Sequence, residues 1–252
     1  MKKLSRRKLI TTGVVATAGA SGLVAAAKLG QHYGIIPPDG SGIYGAGATL
    51  TYAAQRLLTR HSLAREFSPK QISKEPFANE VAPLGDDFKR HQEASFANWR
   101  LTVDGMVTKP ASFSLEQIKN FPTRTQITHI ACEEGWSYIA QWTGVPLAHI
   151  LELVEPLPHV KYVVYHSFQP DWWDSIDMAD ALHPQTIITH GMNGADLPVG
   201  FGGPLRMRVP RQLGYKNVKY ITHLTLTDDI KKFGKGLGSA SPEAGYSWYA
   251  GI

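Results

Sequence analysis

A single cysteine, Cys132, in a chain of 252 residues removes every fold held together by an intrachain disulfide framework or a multi-cysteine zinc or iron–sulfur site. The chain must therefore hold itself by an apolar core. With 43% hydrophobic residues, it has enough apolar material for one sizeable domain or two small ones. The same fraction excludes intrinsic disorder, and the mixed composition excludes collagen-like and low-complexity chains.

A formal net charge of +5 invites a polyanion as partner, but its distribution withdraws the invitation. Lys2, Lys3, Arg6, Arg7 and Lys8 account for the whole excess, and residues 1–27 contain no Asp or Glu, so 28–252 is formally neutral. Nucleic acid is not an expected partner. The basic start, the weakly apolar run that follows it and Ala25-Ala26-Ala27 have the three parts of a signal peptide. Ser5-Arg6-Arg7-Lys8-Leu9-Ile10 resembles a bacterial twin-arginine signal. Export to the periplasm is the expectation, with retention as an uncleaved membrane anchor as the alternative, because the run approaches the roughly 20 residues of a span. A twin-arginine route carries folded proteins, often with a cofactor already inserted, so a cofactor site is expected downstream.

Residues 28–98 read as an irregular, Gly- and Pro-punctuated approach segment, with one short helix over Tyr52 to Arg65 presenting Leu57 and Leu58. From Trp99 to Ile252 the organisation tightens into a second unit. Leu101 and Val103 alternate with polar residues, Asp104-Gly105 predicts a turn, and Val107 starts a return strand. Ser114-Leu-Glu-Gln117 matches a capping box, opening a helix that stops before Pro122. Thr125 to Cys132 predicts a strand with the cysteine at its carboxyl end. Pro146, then Leu147, Ile150, Leu151 and Val154 at i, i+3, i+4 and i+7, predict an amphipathic helix. Strands over 162–165, 186–189, 205–209 and 218–226, a short helix over 178–182 and a turn at Met192-Asn193-Gly194 complete the pattern. Strands and short helices mix without a regular βαβ beat, which predicts a mixed α+β domain.

Cys132 stands between a strand and a Gly-containing turn, in His129-Ile-Ala-Cys132-Glu-Glu-Gly-Trp-Ser137. A free cysteine is commonly just a small buried hydrophobe. In an oxidising compartment, however, an unpaired thiol needs burial or a metal, and thiolate suits soft metals. Zinc is not indicated: strand alternation puts His129 and Cys132 on opposite faces, and no His-Glu-x-x-His pattern occurs. Neither a Cys-x-x-Cys-His haem attachment nor a Gly-x-Ser-x-Gly elbow around Ser137 is present. Asp171-Trp172-Trp173-Asp174 reads either as an aromatic, acidic loop at a pocket mouth or as surface aromatics packed on a neighbour.

Cys132-Glu-Glu-Gly-Trp-Ser137, Trp142-Thr-Gly-Val-Pro-Leu147, His183-Pro184, Gly191-Met-Asn-Gly194-Ala-Asp-Leu-Pro198, Gly203-Pro204-Leu-Arg206-Met-Arg-Val-Pro210 and Gly214-Tyr-Lys-Asn-Val-Lys219 follow one another in the order of a known family. Together they resemble the sulfite-oxidase superfamily of molybdopterin enzymes, on the side of the periplasmic bacterial branch that includes the methionine-sulfoxide reductase catalytic subunit. The Gly-Asn-Arg stretch that eukaryotic sulfite oxidases place after the cysteine is absent. The resemblance implies a sulfite-oxidase-type fold with one molybdenum–molybdopterin per chain. It makes Cys132 the metal ligand and catalytic residue, and assigns Asn79, Ser167, Arg206, Asn217, Val218 and Lys219 to the pterin and its phosphate. Arg206 offers a planar fork for an anion and Lys219 a point charge. Phe201 stands where the branch has a cofactor-binding asparagine, so no side-chain contact carries over there. The implied reaction is oxygen-atom transfer coupled to two electrons on a small-molecule substrate, as sulfoxide reduction or, alternatively, sulfite oxidation; a non-catalytic binding module of the same fold is the other reading. Electrons would come through a haem-containing membrane subunit or a cytochrome.

Overall fold

The computed structural model describes residue 30, residues 36–39, 45–79 and 85–252; the leader read over residues 1–27 lies outside them. Two helices lie within the segment expected to be irregular, α1 (Gly45–Leu58) and α2 (Gly85–Glu93). Then follow β1 (Arg100–Gly105), β2 (Ala111–Ser114), α3 (Leu115–Asn120), β3 (Arg124–Ala131), β4 (Ser137–Pro146), α4 (Leu147–Val154), β5 (Tyr162–Ser167) and β6 (Trp173–Asp177). The chain continues through α5 (Met178–Ala181), β7 (Ile187–Met192), β8 (Ala195–Asp196), β9 (Arg206–Arg208), β10 (Ile221–Thr227) and α6 (Ala240–Glu243). No helix among the described residues is long and apolar enough to cross a membrane.

The strands form two sheets. One runs β2-β1-β10-β5-β6, parallel only between β1 and β10; the other runs β3-β4-β7-β8, with β9 paired to β7. Side chains from both sheets meet in the main core, where Leu101, Val103, Val145, Val163, Ile188, Met207 and Leu224 are fully buried. All four apolar positions of α4 join them, as their spacing predicts. This is the mixed α+β domain expected.

Two local expectations shift. The return strand starts at Ala111 rather than Val107, because Gly105 still pairs in β1 and Val107 bridges to Pro156 instead. The first helix ends at Leu58 rather than Arg65, and its buried stripe is Ala48, Tyr52 and Arg56, with Leu57 and Leu58 exposed. Arg56 turns inward because Asp177 and Asp180 receive it, through Nε to Asp177 at 2.7 Å and Nη2 to Asp180 at 2.7 Å. That pairing spans more than a hundred residues and outweighs the local leucine pattern.

The capping box at α3 forms as read. Ser114 Oγ accepts from the Gln117 N–H at 3.1 Å, and Gln117 Oε1 accepts from the Ser114 N–H at 2.8 Å. Ser114→Ala should cost about 1 kcal/mol, read as a lower denaturant midpoint at unchanged slope.

His183 gives the fold an acid-sensitive point. It is 4% exposed; its Nδ1 accepts from the Gln185 N–H (3.3 Å) and its Nε2 lies 3.2 Å from the Ser62 carbonyl, a pattern that only the neutral ring satisfies. Burial, then the charge of Arg211, hold its pKa below the usual value. With a folded pKa beneath the unfolded one, its contribution is complete above about pH 6.5 and is lost as pH falls through the folded value. Unfolding free energy should therefore drop between pH 7 and 5, and His183→Gln should flatten that slope by up to about 1.4 kcal/mol per pH unit.

Candidate cofactor site

β3 ends at Ala131 and delivers Cys132 into a tight turn. The Cys132 N–H donates to the Trp136 carbonyl (2.9 Å) and the Gly135 N–H to the Cys132 carbonyl (3.1 Å). Gly135 takes φ +92°, which a side chain would strain. The thiol then faces a cavity of about 560 Å³, mouth included. Asn79, Cys132, Arg206, Asn217 and Lys219 all line it, although they come from four separate stretches of the chain.

Cys132 is half-buried, and its Sγ lies 3.1 Å from Glu133 Oε2. Burial, with the neighbouring Glu133 and Glu134 carboxylates adding to it, pushes the thiol up to about 12. Without a cation the sulfur therefore stays protonated, and Glu133 is positioned to accept its proton. Gly214 closes the other side: a Cβ there would sit 3.2 Å from Cys132 Cβ and 3.3 Å from Sγ. The glycine leaves the thiol the room that any larger residue would take.

Arg206, 3% exposed, donates through Nε to the Asn217 carbonyl (3.0 Å) and through Nη1 to the Phe201 carbonyl (3.0 Å). Phe201 thus acts at the site through its backbone, while its ring packs edge-on against Tyr138. Two residues along β9, Arg208 is fully buried; its Nη1 donates to Asn217 Oδ1 (2.8 Å) and its Nη2 to the His129 carbonyl and Thr128 Oγ1. Both guanidiniums lie over the Trp142 ring, at 5.7 and 5.3 Å. Among the described residues neither has a carboxylate partner. Lys219 Nζ reaches the carbonyls of Asn79 and Gly200, which ties the N-terminal segment to the cavity wall.

Asn217 is used up internally. Its Oδ1 accepts from Arg208 and the Val209 N–H, its Nδ2 donates to the Leu213 carbonyl, and its own N–H donates to Gly214. It shapes the wall, and both its side chain and its backbone amide are already engaged. Val218 and Ser167 stand behind the lining. Val218 packs in the main core, and Ser167 Oγ accepts from the N–H of Gln169, which lines the cavity together with Trp172. Of the Asp171–Asp174 tetrad, Trp172 stands at the cavity, whereas Trp173 and Asp174 are buried in β6. There Asp174 pairs with Lys216 Nζ at 2.5 Å, both groups no more than 1% exposed, beneath Tyr215 and Asn217.

Sequence reasoning missed Gly214, Arg208, Lys216 and Asp174. The first three stand inside the motif blocks, but nothing local marks a glycine as a sulfur's neighbour or an arginine or lysine as fully buried.

The arrangement suits an anionic, metal-bearing group: a thiol for a soft metal, two buried guanidiniums that lack a counter-charge, and a buried Arg208 Nε with no partner. Comparisons with known proteins agree. Residues 89–233 match the family model of the oxidoreductase molybdopterin binding domain. A putative protein-methionine-sulfoxide reductase subunit YedZ1 from Azospira oryzae is 38% identical over 183 residues, which is 73% of this chain and 66% of that protein. The chain thus spans just under two thirds of that curated relative. In fold, the sulfane dehydrogenase SoxCD of Paracoccus pantotrophus superposes with a TM-score of 0.51 at 21% identity, covering 68% of this chain and 46% of that one.

Proposed function

This chain belongs to the oxidoreductase molybdopterin binding domain family, and from that premise we propose that it is an exported oxidoreductase whose molybdenum–molybdopterin is ligated by Cys132. The observation that carries the reading is the convergence of Cys132, Arg206 and Lys219 on one cavity, with the buried Arg206 and Arg208 guanidiniums lacking a carboxylate partner among the described residues. When bound, the cofactor supplies a two-electron couple and an oxygen-accepting metal centre. The protein does the rest. Cys132 would hold the metal through its thiolate, with Glu133 Oε2 placed to take the thiol proton, and Gly214 keeps that sulfur uncrowded. Arg206, oriented by the Phe201 and Asn217 carbonyls, would hold the phosphate with donors those carbonyls leave free. Lys219 and Asn79 close the side, the Asn217–Val218 backbone fixes the wall, and Ser167 supports the loop that bears Gln169 and Trp172. Trp136, Trp172 and Tyr215 narrow the mouth against water.

The reaction proposed is sulfoxide reduction, in which the S–O bond breaks, sulfur gains two electrons and the oxygen leaves as water with two protons. Reducing equivalents arrive from a haem-bearing membrane subunit or a cytochrome. The relative whose name carries methionine sulfoxide supports this direction over sulfite oxidation. Metal analysis of the chain from a molybdopterin-competent host should give about one molybdenum and one pterin per chain, and the loaded protein should reduce methionine sulfoxide faster than it oxidises sulfite. A metal-free chain from such a host overturns the reading; sulfite oxidation as the faster reaction reverses the direction. Sequencing the N-terminus of the exported protein tests the leader: cleavage after Ala27 supports a signal peptide, and an intact start supports an anchor.

A further inference from the structure

Among the described residues Arg208 is the largest charged side chain with no exposed surface, and none of their carboxylates pairs with it. The groups that act on the two guanidiniums of β9 are the phenols of Tyr138 and Tyr220 and the thiol of Cys132, none of them a carboxylate. Strand alternation puts Arg206 and Arg208 on the same side of β9, so the like charges also repel each other. A buried, unpaired cation of this kind is costly, and Arg208 Nε makes no hydrogen bond at all. Its fork nevertheless spans two elements of the site. Nη2 holds the carbonyl of His129 and the hydroxyl of Thr128, on the strand that delivers Cys132, while Nη1 holds Asn217 on the opposite wall.

We propose that Arg208 is a positioning residue of the cofactor site, a buried cation that locks the Cys132-bearing strand to the Asn217 wall and whose charge is balanced only when the anionic cofactor is bound beside Arg206. The inference rests on the cofactor reading above. It has a consequence that a merely structural arginine would not have: the chain without cofactor carries a liability that the bound anion relieves. Removing Arg208 should then spare or stabilise the empty chain while weakening the loaded one.

The test compares wild type, Arg208→Gln and Arg208→Lys, each prepared loaded and also from a host unable to make molybdopterin. Thermal midpoints of both forms, pterin retained after gel filtration, and the electron paramagnetic resonance signal of the half-reduced molybdenum are measured. Arg208→Gln should leave the empty chain's midpoint equal to or above that of wild type, shrink the gap between loaded and empty forms, and lower pterin retention by about tenfold or more. Arg208→Lys, which keeps the charge but loses the fork, should preserve more of that gap yet alter the resonance signal. Equal loss of midpoint in loaded and empty Arg208→Gln, with pterin retention unchanged, makes Arg208 a structural brace only and overturns the proposal. Should Arg208→Gln fail to fold, the same equal loss in Arg208→Lys overturns it. A wild-type chain that takes up no pterin overturns the cofactor reading itself, which the wild-type lane alone reveals.

Discussion

Cys132→Ala should empty the site of molybdenum and lower turnover by more than about 100-fold, a scale that even the outer partners of a metal ligand command. The loss should not be one of folding. Cys132 is half-buried, small and at a turn, and its side chain is held by contacts to the Glu133 and Glu134 carboxylates alone, so the thermal midpoint of the empty chain should hardly move. Cys132→Ser sharpens the test, because it keeps shape and polarity but replaces a soft ligand by a hard, poorly ionised one. It too should lose the metal. In the empty wild-type chain the thiol, pushed up to about 12, should alkylate far more slowly at pH 8 than an ordinary cysteine, because the thiolate is the nucleophile. Full molybdenum content in Cys132→Ala would remove this residue from the ligand set.

Lys216→Met should be the most destabilising single change near the site, at about 3–5 kcal/mol, because it strands Asp174 as a buried, uncompensated charge. Asp174 also accepts from Ser241 Oγ (3.1 Å), and Lys216 Nζ donates to the Ser175 carbonyl (3.0 Å), so the pair anchors the 214–217 wall to β6 and to the C-terminal segment. Burial alone holds Asp174 above its ordinary pKa and Lys216 below its own, each drawn partway back by the other. The matched replacement, Lys216→Met with Asp174→Leu, should recover much of the loss, since a well-packed apolar pair avoids the desolvation that the ion pair suffers. Denaturant midpoints of the four proteins give the coupling energy directly. Cofactor retention should fall in the single variant beyond what stability explains, because Tyr215 and Asn217 flank Lys216 at the cavity.

Much of the fold was legible because its signals are local. The i, i+3, i+4, i+7 pattern from Leu147 is a property of one helix, and all four residues are buried. Ser114 and Gln117 satisfy each other within one turn, and β3 runs to the residue before Cys132 as its composition suggested. Of the seven residues that the resemblance assigned to the site, five line one cavity. What failed was any feature set by a distant partner. Helix α1 could not be framed from its leucines, because Arg56 is buried by carboxylates 121 and 124 residues away. Asp174, read as part of an acidic, aromatic loop at a pocket mouth, is buried because Lys216 meets it across 42 residues.

By itself, then, the sequence determined the elements, the α+β class and the single thiol on which a soft metal could act, since periodicity, capping and residue chemistry are carried within a few residues. Only the tertiary structure decided which charges go inside, because the cost of burying Arg56, Arg208 or Lys216 depends on what lies opposite. For Arg56 and Lys216 the answer is a carboxylate. For Arg208, the same accounting of buried charge leaves an opening that an anion would fill.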